Sequence, residues 1–114
     1  MSAATETDER LDWIAEVIPS THFERLARIA HAFEAKQGEK VDRFRFIYQP
    51  WGELVQEIGT GTHGPAYFLS SLLTILVDNA EAGRINGPVY AFRSYMRATA
   101  RTLHAEFKER GIAR

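Results

Sequence analysis

The stretch 67–80 constrains the fold most, because large apolar side chains fall on every side of it when it is wound as a helix. They are Phe68, Leu69, Leu72, Leu73, Ile75, Leu76 and Val77. A helix that is apolar all round is usually buried by its neighbours. The stretch is shorter than the roughly 20 residues that cross a bilayer, and it contains Asp78 and Asn79. It therefore predicts a central buried helix over about 65–82, in a cytoplasmic protein that has no membrane partner.

Four other segments repeat apolar residues at steps of three and four, which is the spacing of one helical face. Proline and glycine mark where these helices begin or end, because proline lacks an N–H and glycine accepts a left-handed backbone. The predicted helices cover about 8–18, 22–37, 50–58 and 88–110, with a capping box from Thr21 to Glu24 at the start of the second. Residues 1–7 are expected to form a frayed N-terminal tail, and residues 8–114 a single helical domain.

The segment 40–49 follows a different period, because aromatic residues occupy every second position. Phe44, Phe46 and Tyr48 alternate with Arg43, Arg45 and Ile47. This spacing is typical of a strand, yet no second strand is available to pair with it in this chain. We therefore expect an extended segment laid across the helices. The fold prediction is an all-α, single-domain bundle of about five helices, with a central apolar helix and one extended aromatic segment.

Several classes of site are excluded by composition. The chain has no cysteine, which rules out disulfides, thiol catalysis and Cys-based metal sites. Its four histidines lack metal-ligand spacing, and no set of nucleophile, base and oxyanion donors can be assembled. We therefore expect no metal, no cofactor and no enzymatic activity. The formal net charge of −1 also argues against a strong non-specific grip on nucleic acid or membrane.

The turn from Gly59 to Gly64 matches the dinucleotide-binding pattern G-x-G-x-x-G, with its middle glycine at Gly61. That pattern works inside a βαβ unit, whereas the segment before this turn reads as a helix. The spacing therefore favours a turn between two helices. Contact of this turn with an anion at the start of the next helix stays open.

Charge is unevenly distributed along the chain. No Asp or Glu occurs between positions 84 and 105, and residues 58–114 carry more basic than acidic side chains. Arg93, Arg97 and Arg101 are spaced four apart, which places them on one face of the last helix, with Lys108 farther along and Arg84 just before it. These residues predict a surface for phosphates or for an acidic protein partner. The alternative is that they pair with the acidic first half of the chain or are simply solvated.

Three stretches, in order, resemble a known family. They are WGELV at 51–55, the apolar LLTILV at 72–77 and AGRINGPVYAFR at 82–93. The last of these is similar to a segment in the C-terminal domain of plasmid replication initiator proteins of the replication protein C type. The resemblance implies a helical accessory domain of a mobile element or its host. That domain would contact DNA or replication proteins through Arg84, Arg93 and Arg97.

A second functional hypothesis uses the segment 43–51. Arg43, Arg45, Tyr48 and Trp51 are then exposed side chains that bind another protein. The chain would be a protein-only interaction module, such as a small regulator, an inhibitor or a phage antagonist of a host complex. Either hypothesis leaves a homodimer open.

Overall fold

The computed structural model describes residues 2–59 and 65–111, with side chains described from residue 10 onward. Every regular element in these ranges is helical, as the sequence predicts. The α-helices are α1 (Ser2–Val17), α2 (Phe23–Gln37), α3 (Gln49–Ile58), α4 (Pro65–Glu81) and α5 (Phe92–Glu109). Short 3₁₀ turns at Ser20–His22 and Val89–Ala91 lead into α2 and α5.

The helix α4 supplies much of the core. Leu72, Leu73 and Leu76 have no exposed surface, and α4 packs against both α2 and α5. One side of α4 nevertheless faces solvent, where Tyr67 and Thr74 lie exposed. The expected central helix is therefore present, but one side of it is exposed to solvent.

The first helix begins earlier than the sequence predicts. Backbone from Ser2 to Val17 is helical, whereas a frayed tail was expected over 1–7. Alanine and glutamate in this stretch favour a helix, and no glycine or proline interrupts it before Pro19. The predicted tail is therefore wrong for residues 2–7, while the stop at Pro19 is confirmed.

The extended aromatic segment is also wrong. Phe44–Tyr48 forms π-helical turns that run directly into α3, and the Gln49 N–H donates to the Phe44 carbonyl five residues earlier. Pro50 explains the wider turn, because it has no N–H to continue the α-helical ladder. The completely buried residues Ile47 and Trp51 are four apart, which is a helical spacing. The aromatic residues at every second position therefore do not indicate a strand, because the segment is helical.

Two contacts hold α3 in place. On one side, Gly52 lies directly beneath the Trp13 ring of α1. In the core, the Trp51 indole N–H donates to His22 Nδ1 at 3.1 Å, so that both polar groups are satisfied although both side chains are buried. Both contacts help to fix the position of α3, which contributes two acidic residues to the candidate surface. No helix among the described residues is long and apolar enough to span a bilayer.

Candidate partner-binding surface

The last helix carries cationic side chains along one flank of its buried face. The buried face consists of Phe92, Met96, Ala100, Leu103 and Phe107. A second set of residues lies within an arc of roughly 80° around the helix axis, and this arc adjoins the buried face. We call this set the basic row, and it consists of Arg93, Arg97, Arg101, His104 and Lys108. The sequence prediction that these arginines share a face is consistent with the helix over Phe92–Glu109.

Two members of the basic row are paired with acidic residues of α3. Arg97 donates to both carboxylate oxygens of Glu57, at 3.3 and 2.5 Å, and Arg93 donates to Glu53. Each pair spans 40 positions, so α3 and α5 run side by side in the same direction. The hydrogen bond from Arg97 holds the pKa of Glu57 below its usual value and raises the pKa of Arg97.

The C-terminal half of the basic row is different. Arg101, His104 and Lys108 are all exposed. Within residues 10–59 and 65–111, the side chains of Arg101 and Lys108 make no hydrogen bond or ion pair. His104 lies edge-on to the Phe68 ring, with the ring centroids 6.3 Å apart. Among the described residues, Arg101 and Lys108 are therefore unpaired cations on this flank, whereas Glu106 and Glu109 lie on another side of α5.

Arg84 lies away from the basic row, although the sequence grouped it with the arginines of α5. It donates to the Asn79 side-chain oxygen at 2.7 Å, and the Asn79 amide donates to the Tyr95 hydroxyl at 2.6 Å. Tyr95 is on the opposite flank of α5 from Arg97. The structure therefore does not bring Arg84 together with the basic row.

The alternative site at 43–51 is largely built into the fold. Arg43 donates twice to Glu34, at 2.9 and 2.7 Å, and lowers the pKa of that carboxyl to about 2. Tyr48 packs edge-on against Phe23, and Trp51 is completely buried. Arg45 is exposed, with its guanidinium 5.3 Å from the centroid of the Phe46 ring. The expectation of exposed aromatics in this segment is wrong, because its helical period turns Trp51 inward.

Two exposed tyrosines add aromatic surface at the ends of the bundle. Tyr90 is 71% exposed and precedes Arg93 by three residues, which places it near the start of the basic row. Tyr67 is 60% exposed and stacks on Phe107 with ring centroids 5.5 Å apart. Tyr67 comes early in α4, where fewer neighbours cover the helix.

Glu53 and Glu57 were missed as members of the site. The signal was nevertheless in the sequence: a pair of glutamates four apart matches a pair of arginines four apart. The prediction that the arginines pair with the acidic first half of the chain is confirmed for Arg93 and Arg97. Their partners, Glu53 and Glu57, lie at the end of that half of the chain.

A groove of about 540 Å³ lies elsewhere, between α2 and the turn that follows α4. Its cations are already engaged. Arg28 donates twice to Glu81, at 2.9 and 2.6 Å, and Lys36 donates to the Ile85 carbonyl at 3.0 Å. The groove therefore lacks unpaired cations like Arg101 and Lys108 among its described arginine and lysine side chains.

Only the first residue of the predicted anion-contacting turn, Gly59, is among the described residues. It ends α3 with a φ of 92° and donates its N–H to the Val55 carbonyl at 2.7 Å. The prediction for positions 60–64 lies outside the described ranges. For the residues that are described, no three His, Asp or Glu side chains come close enough together to hold a metal ion.

No family model, curated protein or solved structure matches this chain. The resemblance of 51–93 to replication initiator proteins therefore stays a prediction from the motifs.

Proposed function

We propose that this protein is a non-enzymatic binding protein that docks the basic row of α5 on an acidic surface of a partner protein. The observation that carries the proposal is the exposure of Arg101 and Lys108, which have no acidic partner among the described residues. Tyr90, at the other end of the row, adds an exposed aromatic side chain. Arginine and tyrosine are both enriched at protein interfaces, where they supply much of the binding energy.

The neutralised half of the row favours protein over nucleic acid as the partner. Nucleic-acid binding draws its affinity from several cations that replace counterions on the phosphates. Here Glu53 and Glu57 cancel the charge of Arg93 and Arg97, and the whole chain carries a formal net charge of −1. A protein surface needs only a few matched charges together with some apolar contact.

The biological setting follows from the resemblance, and we propose it on that ground alone. The protein would belong to a mobile element or its host and would act in plasmid replication or its regulation. In that setting the partner is an acidic surface of a replication protein. The hypothesis of a small regulator or phage antagonist that binds through 43–51 is supported less, because Trp51 is buried and Arg43 is bound to Glu34.

Affinity capture with two charge-reversed variants tests this function. The wild type, Arg101→Glu/Lys108→Glu and the control Arg10→Glu/Lys40→Glu are immobilised and exposed to lysate of cells that carry the gene. Both variants change the net charge by four units, but the control alters exposed residues that belong to neither candidate surface. We expect the wild type and the control to retain the same protein, and the α5 variant to lose it.

The capture is repeated after nuclease treatment and at raised salt. A protein partner is retained after the nuclease and released by salt, because its contacts are charge-charge contacts at the surface. Loss of capture after nuclease treatment would show that nucleic acid is the partner. Equal capture by the α5 variant and the wild type would refute the assignment of this surface. Circular dichroism confirms that each variant is folded.

A further inference from the structure

The pairing between α3 and α5 has a regular geometry. Glu53 and Glu57 are four residues apart, as are Arg93 and Arg97, so that each carboxylate meets one guanidinium in register. The pairs lie at the surface: the side chain of Arg93 is 44% exposed and that of Glu57 is 55% exposed. Surface pairs of this kind add little to stability, so their main physical effect is on the charge that α5 presents.

Without these carboxylates, α5 would resemble a phosphate-binding helix. From Arg93 to Lys108 the basic row extends about 22 Å. Successive phosphates on one DNA strand lie about 3.4 Å apart along the axis, so a row of this length runs beside several of them. With the carboxylates present, a phosphate that approaches Arg93 or Arg97 also meets a negative charge within hydrogen-bonding distance of the same guanidinium. The attraction and the repulsion then largely cancel.

We infer that Glu53 and Glu57 are specificity-determining residues that prevent nucleic acid from binding to α5. They leave Arg101 and Lys108 as the uncompensated cations, which suits a small acidic patch on a protein and not a continuous phosphate backbone. This inference rests on the proposed function, because it explains how one surface accepts an acidic protein and rejects a polyanion.

A charge-neutral substitution tests the inference directly. Glu53→Gln/Glu57→Gln keeps the size of both side chains and a hydrogen-bond acceptor for each arginine, but removes both negative charges. The matched control is Glu16→Gln/Glu24→Gln, which makes the same change in net charge at exposed positions of α1 and α2. The probe is a fluorescently labelled DNA duplex of about 20 base pairs, titrated by anisotropy between about 50 and 200 mM NaCl.

We expect the Glu53→Gln/Glu57→Gln variant to bind the duplex at least ~10-fold more tightly than the wild type and the control. A plot of the logarithm of its association constant against the logarithm of the salt concentration should have a slope of about −3 to −4, because up to four cations then face the phosphates. Adding Arg93→Ala and Arg97→Ala to this variant should remove about half of that slope. An affinity no greater than that of the control would overturn the inference, and so would tight binding of the duplex by the wild type.

The two proposals can fail independently. The Glu53→Gln/Glu57→Gln variant is also run in the affinity capture, together with Arg101→Glu/Lys108→Glu. If the duplex result is negative while Arg101→Glu/Lys108→Glu still loses its partner, the role of the glutamates is refuted and the proposed function stands. If capture does not depend on Arg101 and Lys108 but the duplex binds only when the glutamates are neutralised, the glutamates still control access of polyanions while the partner surface must lie elsewhere.

Discussion

Replacing Gly52 with alanine should destabilise the bundle, although the same change stabilises most helices. Gly52 is buried in α3, and a Cβ built there falls 2.5 Å from Trp13 Cη2 and 2.9 Å from Cζ3. Carbon atoms in contact normally lie about 3.5–4.0 Å apart, so the indole has to move by about 1 Å. Trp13 also packs edge-on against Phe44, with the ring centroids 6.0 Å apart, which limits where the ring can go.

The expected magnitude follows from two opposing effects. Alanine in place of glycine inside a helix gains about 1 kcal/mol, mainly because the unfolded chain loses conformational freedom. Inserting a methyl group into a filled site costs about 1–3 kcal/mol. Trp13 is only partly buried, so it can relax outward and the full cost is reached only if α1 shifts. We expect Gly52→Ala to lower the free energy of unfolding by about 1 kcal/mol, with a fall in Tm of about 4 °C.

A double-mutant cycle separates steric crowding against Trp13 from the other effects of Gly52→Ala on stability. Urea unfolding, followed by circular dichroism, is measured for the wild type, Gly52→Ala, Trp13→Ala and the double variant. In the Trp13→Ala background the ring is absent, and Gly52→Ala should then raise the free energy of unfolding by up to about 1 kcal/mol. The reasoning is refuted if Gly52→Ala stabilises the wild type, or if its effect is the same in both backgrounds.

Two further predictions concern pH. Burial, with a smaller contribution from the charge of Arg25, lowers the pKa of His22 below 6.5, so the free energy of unfolding should be highest above pH 6.5 and fall as the pH drops below it. Urea unfolding between about pH 7.5 and 5.5 measures this fall, which His22→Asn should flatten. The hydrogen bonds from Arg43 lower the pKa of Glu34 from 4.5 to about 2. The stabilisation that this carboxylate adds to the free energy of unfolding should therefore be complete above pH 4.5 and disappear as the pH falls towards 2. An NMR titration of the Glu34 carboxyl that gives a midpoint near 4.5 would contradict this second prediction.

The sequence predicted elements far better than it predicted contacts between them. Steps of three and four identified α2, α3, α4 and α5, and Pro19 and Gly59 marked helix ends correctly. The secondary-structure prediction failed in a short segment where an alternating pattern and a helical pattern are both present. In Phe44–Tyr48 the aromatic alternation suggested an extended chain, while the buried residues follow the helical period. A short window supports both readings, and burial against the rest of the bundle decides between them.

For the candidate site, too, the sequence predicted the features of one helix but not the contacts between helices. The placement of Arg93, Arg97, Arg101 and Lys108 on one flank of a helix depends only on their spacing, because helical geometry repeats locally. Which of them stay free to bind a partner depends on α3, 40 positions away in the chain.

Local order in this protein is thus a property of its sequence: where helices begin and end, which faces are apolar and where cations line up. The tertiary structure alone decided that Glu53 and Glu57 neutralise the first half of the basic row and that Trp51 turns inward to His22. The physical reason is that spacing along the chain sets the direction of side chains on one helix, whereas the register between two helices is set by the packing of the whole core.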